Sequence, residues 1–193
     1  MASKTAEYHR DVMRQALNLA RQSPPKPTNF RVGAILVRLD DDSVAAQGFT
    51  LQCLGNTHAE ECCLLNLAER NSTTEEGLAR LMDAPHALYT TMEPCSKRLS
   101  GKLPCVERVL RQKSWIREVY VGVEEPQTFV GENLGRRMLE DGGIHVHHVP
   151  GLEDEILAVA TAVPDETVPL PLVALKLQKH VFVVTNSQVV FVG

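Results

Sequence analysis

The sequence predicts an α/β domain of three layers, with helices on both faces of a central mixed sheet. Three observations carry that expectation. An N-terminal segment has its apolar residues at helical spacing. An Asp-rich turn joins two β-like runs into a hairpin. Beyond residue 57, helix-like and strand-like segments alternate, as they do in layered α/β domains. The chain has 193 residues, 44% of them hydrophobic, enough for one domain with a substantial core and an appendage.

Along the chain, "AEYHRDVMRQALNLARQS" places Tyr8, Val12, Met13, Ala16, Leu17 and Ala20 on one helical stripe, which "PPKP" stops. "FRVGAILVRLDDDSVAAQGF" reads as two strands around a turn at residues 40–43. A helix follows over about residues 57–70, then a polar linker containing Gly77 and a β-rich run, "HALYTTMEPC". "LPCVERVLRQKS" begins a helix with Pro104 near its first position, where proline is favoured. "IREVYVGV" is a strand, "GENLGRRMLEDGG" a helix stopped by glycines, "IHVHHV" a strand and "EDEILAVATAV" a last short helix. We therefore expect one domain over residues 1–163. Residues 164–193 are Val-rich and strand-like and follow a proline-marked break; they form a tail whose role the sequence leaves open.

Composition narrows the function. A formal net charge of −4 argues against a large nucleic-acid-binding face. No apolar run is long enough to span a membrane, and "MASKTAEYHRDVMRQ" has no apolar core of a secretory signal. The expected location is the cytoplasm, the nucleus included. Five cysteines, an odd number, then read as thiols or metal ligands rather than a disulfide framework.

The stretch "NTHAEECCLLNLAE" carries the first chemical question. Thr57 could cap the helix with Glu60 as its capping-box partner, leaving His58 a polar residue of the first turn and Cys62 and Cys63 small core residues. Downstream, "TMEPCSKRLSGKLPC" places Cys95 after a strand and Cys105 at a helix start. Zinc takes thiolate and imidazole ligands, and catalytic sites use three protein ligands and keep one position open. His58, Cys95 and Cys105 supply such a set, with His58 and Cys105 at helix N-termini that favour negative charge. His58, Cys62 and Cys63 are a rival set, but Cys63 points about 100° away from the face shared by the other two. His145, His147 and His148 alternate on a strand and read as solvent or interface residues.

His-x-Glu followed by Pro-Cys and a second Cys is the pattern of zinc-dependent base deaminases, in which the Glu moves protons and does not bind the metal. "HAE" with "EPC" and "LPC" fits, although residues 96–104 separate the cysteines where two residues are usual. In the matching runs "YHRDVMRQALNLARQS", "PTNFRVGAILV", "GFT", "GNTHAE", "LYTTMEPCSKRLSGKLPC" and "VYVGVEEPQTFVGENLGRRMLEDGGI", the chain resembles the cytidine deaminase superfamily. Within it, the chain is most similar to the fungal-type pyrimidine deaminases of riboflavin biosynthesis, over about three quarters of its length. "RLSGKLPC" departs from the "GRTPPC"-like run of bacterial relatives, and "LPLVALKLQ" resembles the first strand of the reductase domain that bifunctional relatives carry.

That resemblance implies zinc-dependent hydrolytic deamination of 2,5-diamino-6-ribitylamino-4-pyrimidinone 5′-phosphate, with release of ammonia. It implies Glu60 as the proton shuttle and Asn29 as a ligand of the pyrimidine. Arg98, Ser100 and Lys102 could form a polar, cationic rim for the ribityl phosphate. Glu93 reads as a buttress of its loop. The expected partner is a small pyrimidine; no nucleic acid and no membrane are expected, and assembly is expected to be homo-oligomeric, as a dimer. Deamination of cytosine nucleosides or nucleic-acid bases is the competing enzymatic reading, and a zinc-stabilised scaffold the non-catalytic one. Retention of Glu60 opposes the scaffold, because a structural zinc site is closed by a fourth ligand and needs no shuttle. Glu60 also cannot spend its carboxylate on a cap and shuttle protons with it.

Overall fold

Thr5 starts the first helix: its side chain accepts the Tyr8 N–H at 3.2 Å, and α1 runs Ala6–Ala20. Val12, Met13, Ala16, Leu17 and Ala20 are buried along it, the stripe expected from their spacing, while Tyr8 packs against the core only in part. The structure, a computed structural model, describes residues 4–126 and 134–163, together with the backbone of three strands between residues 174 and 192.

The hairpin is β1 (Gly33–Arg38) and β2 (Val44–Phe49), antiparallel with a register shift at Leu36/Val37. Two glycines show how tightly helices press on it. A Cβ on Gly33 would lie 1.9 Å from the Ala16 carbonyl oxygen of α1. One on Gly48 would lie 2.4 Å from the Cys63 nitrogen of the second helix, α2 (Ala59–Arg70). Gly48 pairs with Ala34, the neighbour of Gly33, and successive strand residues point to opposite faces. So α1 and α2 cover opposite faces of the sheet.

β3 (His86–Met92) is buried at all seven positions and is the centre of the sheet. It runs antiparallel to β1 and parallel to β4 (Ile116–Val123), which in turn runs parallel to β5 (His145–His148). The strand order is β2-β1-β3-β4-β5. A strand buried on both faces reads as a near-continuous apolar run, which is how "HALYTTM" appears. The polar linker holds one element the sequence pattern did not show, α3 (Leu78–Leu81), anchored by the fully buried Leu78. Four residues are too few for a helical period to register.

The crossover from β3 to β4 contains α4 (Cys105–Arg111), and that from β4 to β5 contains α5 (Gly135–Asp141). The predicted start of α5, at residue 131, lies outside the described residues. The last helix, α6 (Glu153–Ala160), returns to the α1 face: a Cβ on Gly122 would meet both Ile156 of α6 and Met13 of α1. The mixed sheet with helices on both faces is the architecture the sequence predicted. No described helix is long and apolar enough to cross a membrane.

The chain divides into two compact units, Met1–Val163 and Pro164–Gly193. The second holds a three-stranded antiparallel sheet, β6 (Ala174–Leu177), β7 (His180–Thr185) and β8 (Gln188–Val192), in the order β6-β7-β8.

Candidate active site

His58, Cys95 and Cys105 arrive from three different places. His58 is the extended residue that caps α2, with φ −93° and ψ 164°. Cys95 lies just beyond the end of β3, and Cys105 is the first residue of α4, after Pro104 in extended conformation. Backbone bonds draw the two cysteines together. The Val106 N–H donates to the Cys95 carbonyl at 3.2 Å, and the Cys105 N–H points at Cys95 Sγ at 3.5 Å.

The donor atoms converge. His58 Nδ1 is 3.5 Å from Cys95 Sγ and 3.5 Å from Cys105 Sγ, and all three ligand atoms lie within 4.8 Å of one another. Zinc–sulfur bonds of about 2.3 Å and zinc–nitrogen bonds of about 2.0–2.1 Å in a tetrahedron would separate nitrogen from sulfur by roughly 3.5–3.6 Å. The set therefore fits zinc in both chemistry and spacing. Hydrogen bonding from Cys105 holds the Cys95 thiol well below the ordinary thiol range, while the same pairing and burial push Cys105 up. Among the described residues these three form the metal-binding group without a fourth donor, which leaves one tetrahedral position open.

The rival set does not assemble. Cys62 Sγ accepts the Cys53 N–H at 3.3 Å, and Cys63 belongs to the hydrophobic core, where burial pushes its thiol up. On β5, His147 stacks on Tyr120 with centroids 4.8 Å apart, and His148 Nε2 lies 3.0 Å from the Gly122 carbonyl.

Glu60, in the first turn of α2, is 3% exposed, and Oε1 lies 3.2 Å from the Thr90 hydroxyl on β3. Burial pushes its carboxyl up, with the neighbouring Cys95 sulfur adding to the effect. The capping role considered for it falls to the next residue. His58 is the N-cap, and the Glu61 carboxylate accepts the His58 N–H at 3.3 Å. The proposed cap, Thr57, instead donates its hydroxyl to the Cys53 carbonyl at 3.0 Å. The register is one residue later than a Thr57–Glu60 box requires, which leaves the Glu60 carboxylate free of the cap.

A cleft opens over this group. Asn29, Arg98 and Ser100 line it, as do His58, Glu60 and Cys95. Asn29 donates to Asn56 Oδ1 at 2.8 Å and accepts from the Thr28 hydroxyl at 2.9 Å. Arg98 is buried with its charge already partnered: Nη1 donates to Glu61 at 2.7 Å and Nη2 to the Asn56 carbonyl at 2.6 Å. Lys102 stands outside the lining, with its ammonium 3.2 Å from the Asn56 carbonyl, and the exposed Lys97 lines the wall instead. Glu93 is the expected buttress, since its Oε1 accepts the Arg136 N–H of α5 at 2.5 Å.

Sequence reasoning missed Asn56, Lys97 and Glu125 in this wall. Asn56, two residues before His58, could have been found from its neighbourhood. Glu125 carried no local signal. Its Oε2 is buried without a hydrogen-bond partner among the described residues, and burial, then Cys95 and Glu60, push its carboxyl up to about 7.

The fold and the three-donor site are of the kind found in zinc-binding deaminases, and the chain belongs to the cytidine and deoxycytidylate deaminase zinc-binding family, whose model matches residues 6–123. Among named relatives it is 35% identical, over 153 residues, to the diaminohydroxyphosphoribosylamino-pyrimidine deaminase of Schizosaccharomyces pombe. That alignment covers 79% of this chain but only 35% of the relative. Among solved structures it is similar to a C-terminal deletion mutant of Aspergillus oryzae Rib2 deaminase in complex with DARIPP. The identity is 45% and the TM-score 0.74, over 81% of this chain and 92% of that one. A Thermotoga maritima deaminase/reductase shares the fold at 24% identity and TM-score 0.61, over 80% of this chain and 40% of that one.

Proposed function

We propose that this chain hydrolytically deaminates 2,5-diamino-6-ribitylamino-4-pyrimidinone 5′-phosphate, releasing ammonia and the corresponding uracil. The observation that carries the reaction is the buried Glu60 carboxyl beside an open three-donor metal set on the wall of one cleft. The likeness to the Schizosaccharomyces pombe deaminase and to the DARIPP-bound Rib2 structure supports the substrate class.

His58 Nδ1, Cys95 Sγ and Cys105 Sγ would hold the zinc. When bound, the zinc supplies a water acidified to a pKa of about 7, and so a nucleophile at neutral pH. Glu60 takes up one proton of the attacking water and delivers it to the ring nitrogen of the amidine. Glu60 next takes the second water proton, from the new C–O–H group, and gives it to the departing amine, so that the C–N bond breaks, ammonia leaves and the ring carbon becomes a carbonyl. Thr90 orients the Glu60 carboxyl through Oε1.

Asn29, already oriented by Thr28 and Asn56, hydrogen-bonds the pyrimidine or its substituent. Ser100 and Lys102 contribute to the rim for the ribityl phosphate together with Lys97, and Arg98 contributes through a guanidinium that Glu61 shares. The reaction takes place on a small molecule in a homodimeric enzyme of the cytoplasm.

The test is ammonia release from the riboflavin precursor, cytidine and single-stranded DNA, with zinc quantified in the same preparation. The proposal expects turnover of the precursor alone by protein holding about one zinc per chain, the count of a three-ligand catalytic site. Ammonia from cytidine or DNA but not from the precursor would reject the substrate, and zinc without any turnover would favour the scaffold.

A further inference from the structure

We infer that Glu61 is the positioning residue of the metal centre, the clamp that closes the long Cys95–Cys105 loop onto His58. The inference rests on the metal site proposed above and adds a role for a residue that neither binds metal nor lines the cleft.

One buried carboxylate reaches all three segments that carry ligands. Glu61 Oε2 accepts the His58 backbone N–H at 3.3 Å and an Arg98 Nη1–H at 2.7 Å. Oε1 accepts from Arg108 Nη2 at 2.9 Å, with the Lys102 ammonium 3.9 Å away. His58 is a ligand, Arg98 and Lys102 belong to the loop between the cysteines, and Arg108 is on α4, one turn beyond Cys105. The Arg98 side chain is 1% exposed and that of Glu61 6%, so the pair works away from solvent screening. Arg108 also pairs with Glu75, which fixes the far end of the network.

The loop needs such a clamp. Two cysteines two residues apart on a tight turn are held by local backbone geometry. Residues 96–104 are too long a stretch for that, and their closure carries an entropic cost that grows with length. Within the loop the described backbone bonds are sparse: Gly101 N–H to the Arg98 carbonyl at 3.1 Å, with Gly101 in the left-handed region at φ 72°. Arg98 and Lys102 then both donate to the Asn56 carbonyl, at 2.6 and 3.2 Å. The loop is therefore pinned at two points, the Asn56 carbonyl just before α2 and the Glu61 carboxylate in its first turn. Of these, only Glu61 also holds α4.

A purely electrostatic role predicts the opposite effect on the metal. Neutralising Glu61 would leave Arg98 and Arg108 to favour the two thiolates and hold zinc more tightly. The clamp predicts looser binding, because the guanidiniums would be left buried without their common acceptor and the loop would lose its tie.

The experiment compares full-length wild-type, Glu61→Gln, Glu61→Asp and Arg98→Met proteins, each loaded with zinc. The rate of zinc release to EDTA is measured, together with the visible spectrum of the cobalt-substituted forms and the far-UV circular dichroism. The clamp expects unchanged secondary structure, zinc release in Glu61→Gln and Arg98→Met faster by at least about 10-fold, as for other groups that orient metal ligands, and an altered cobalt–thiolate spectrum. Glu61→Asp, a shorter carboxylate, should fall between. Should Glu61→Gln fail to fold, Glu61→Asp decides, since it shortens the clamp while the Arg98 bond to the Asn56 carbonyl stays available. Zinc release as slow as wild type or slower, with an unchanged cobalt spectrum, overturns the clamp and leaves the proposed function standing. A wild-type chain that takes up no zinc overturns both.

Discussion

Replacing Glu60 by Gln separates proton transfer from every other job the residue could do, and the structure explains why the test is clean. From sequence, Glu60 could have been the capping-box partner of the α2 N-terminus. In the fold, Glu61 accepts the His58 N–H, so the cap does not depend on Glu60. Gln has nearly the same size, and its carbonyl oxygen can still accept from the Thr90 hydroxyl, now 3.2 Å from Oε1. A net hydrogen bond of this kind is worth about 1 kcal/mol. Keeping it limits the change in stability to about that amount, or a shift in Tm of about 2–4 °C for a chain of this size. Removing the titratable carboxyl should slow deamination by at least about 10²-fold, or about 2.7 kcal/mol of barrier. The assay is single-turnover ammonia release by zinc-loaded protein, with thermal unfolding and zinc content as controls. A folded, zinc-replete Glu60→Gln protein with near-normal turnover would refute the mechanism.

Elemental analysis of Cys105→Ser should show zinc falling well below one per chain; undiminished zinc would remove Cys105 from the ligand set. A chain ending at Val163 should keep the zinc of the full chain, because every proposed ligand lies in the unit Met1–Val163; a soluble fragment that loses it would assign the tail a supporting role. Gly33→Ala forces a methyl within 1.9 Å of the Ala16 carbonyl, so α1 must move off the sheet. Overpacking of this kind costs about 1–3 kcal/mol, and an unchanged Tm would contradict the close approach. His86 donates Nδ1–H to the Ala84 carbonyl and meets the Trp115 ring edge-on at 5.0 Å, and burial holds its pKa below the ordinary 6.5. The unfolded chain takes up that proton first, so this contribution to stability is present above about pH 6.5 and is lost as the pH falls. Denaturant titrations between pH 7 and 5 should show a shallower loss in His86→Gln than in wild type, and identical slopes would discount the residue.

Much of the fold was legible because its signals are local. The α1 stripe from Val12 to Ala20, the Asp-rich turn of the hairpin, the apolar run of β3 and the proline before α4 each depend on neighbours within a few residues. The convergence of His58, Cys95 and Cys105 was legible too, since thiolate and imidazole chemistry restricts the candidates and helix periodicity disfavoured Cys63. What the sequence could not decide depends on contacts between distant residues. Which glutamate caps α2 depends on a helix register shifted by one residue, to which Thr57-x-x-Glu60 and His58-x-x-Glu61 are nearly equivalent patterns. Arg98 reads as a free cation in a polar loop, and only its approach to Glu61, 37 residues away in sequence, shows that its charge is already matched. Lys97, for which the sequence raised no expectation, lines the cleft, whereas Lys102 stands outside its lining with its ammonium on the Asn56 carbonyl, a contact 46 residues apart in sequence. Glu125 enters the cleft because β4 is parallel to β3 and ends beside the metal donors, a consequence of sheet order that no local pattern encodes.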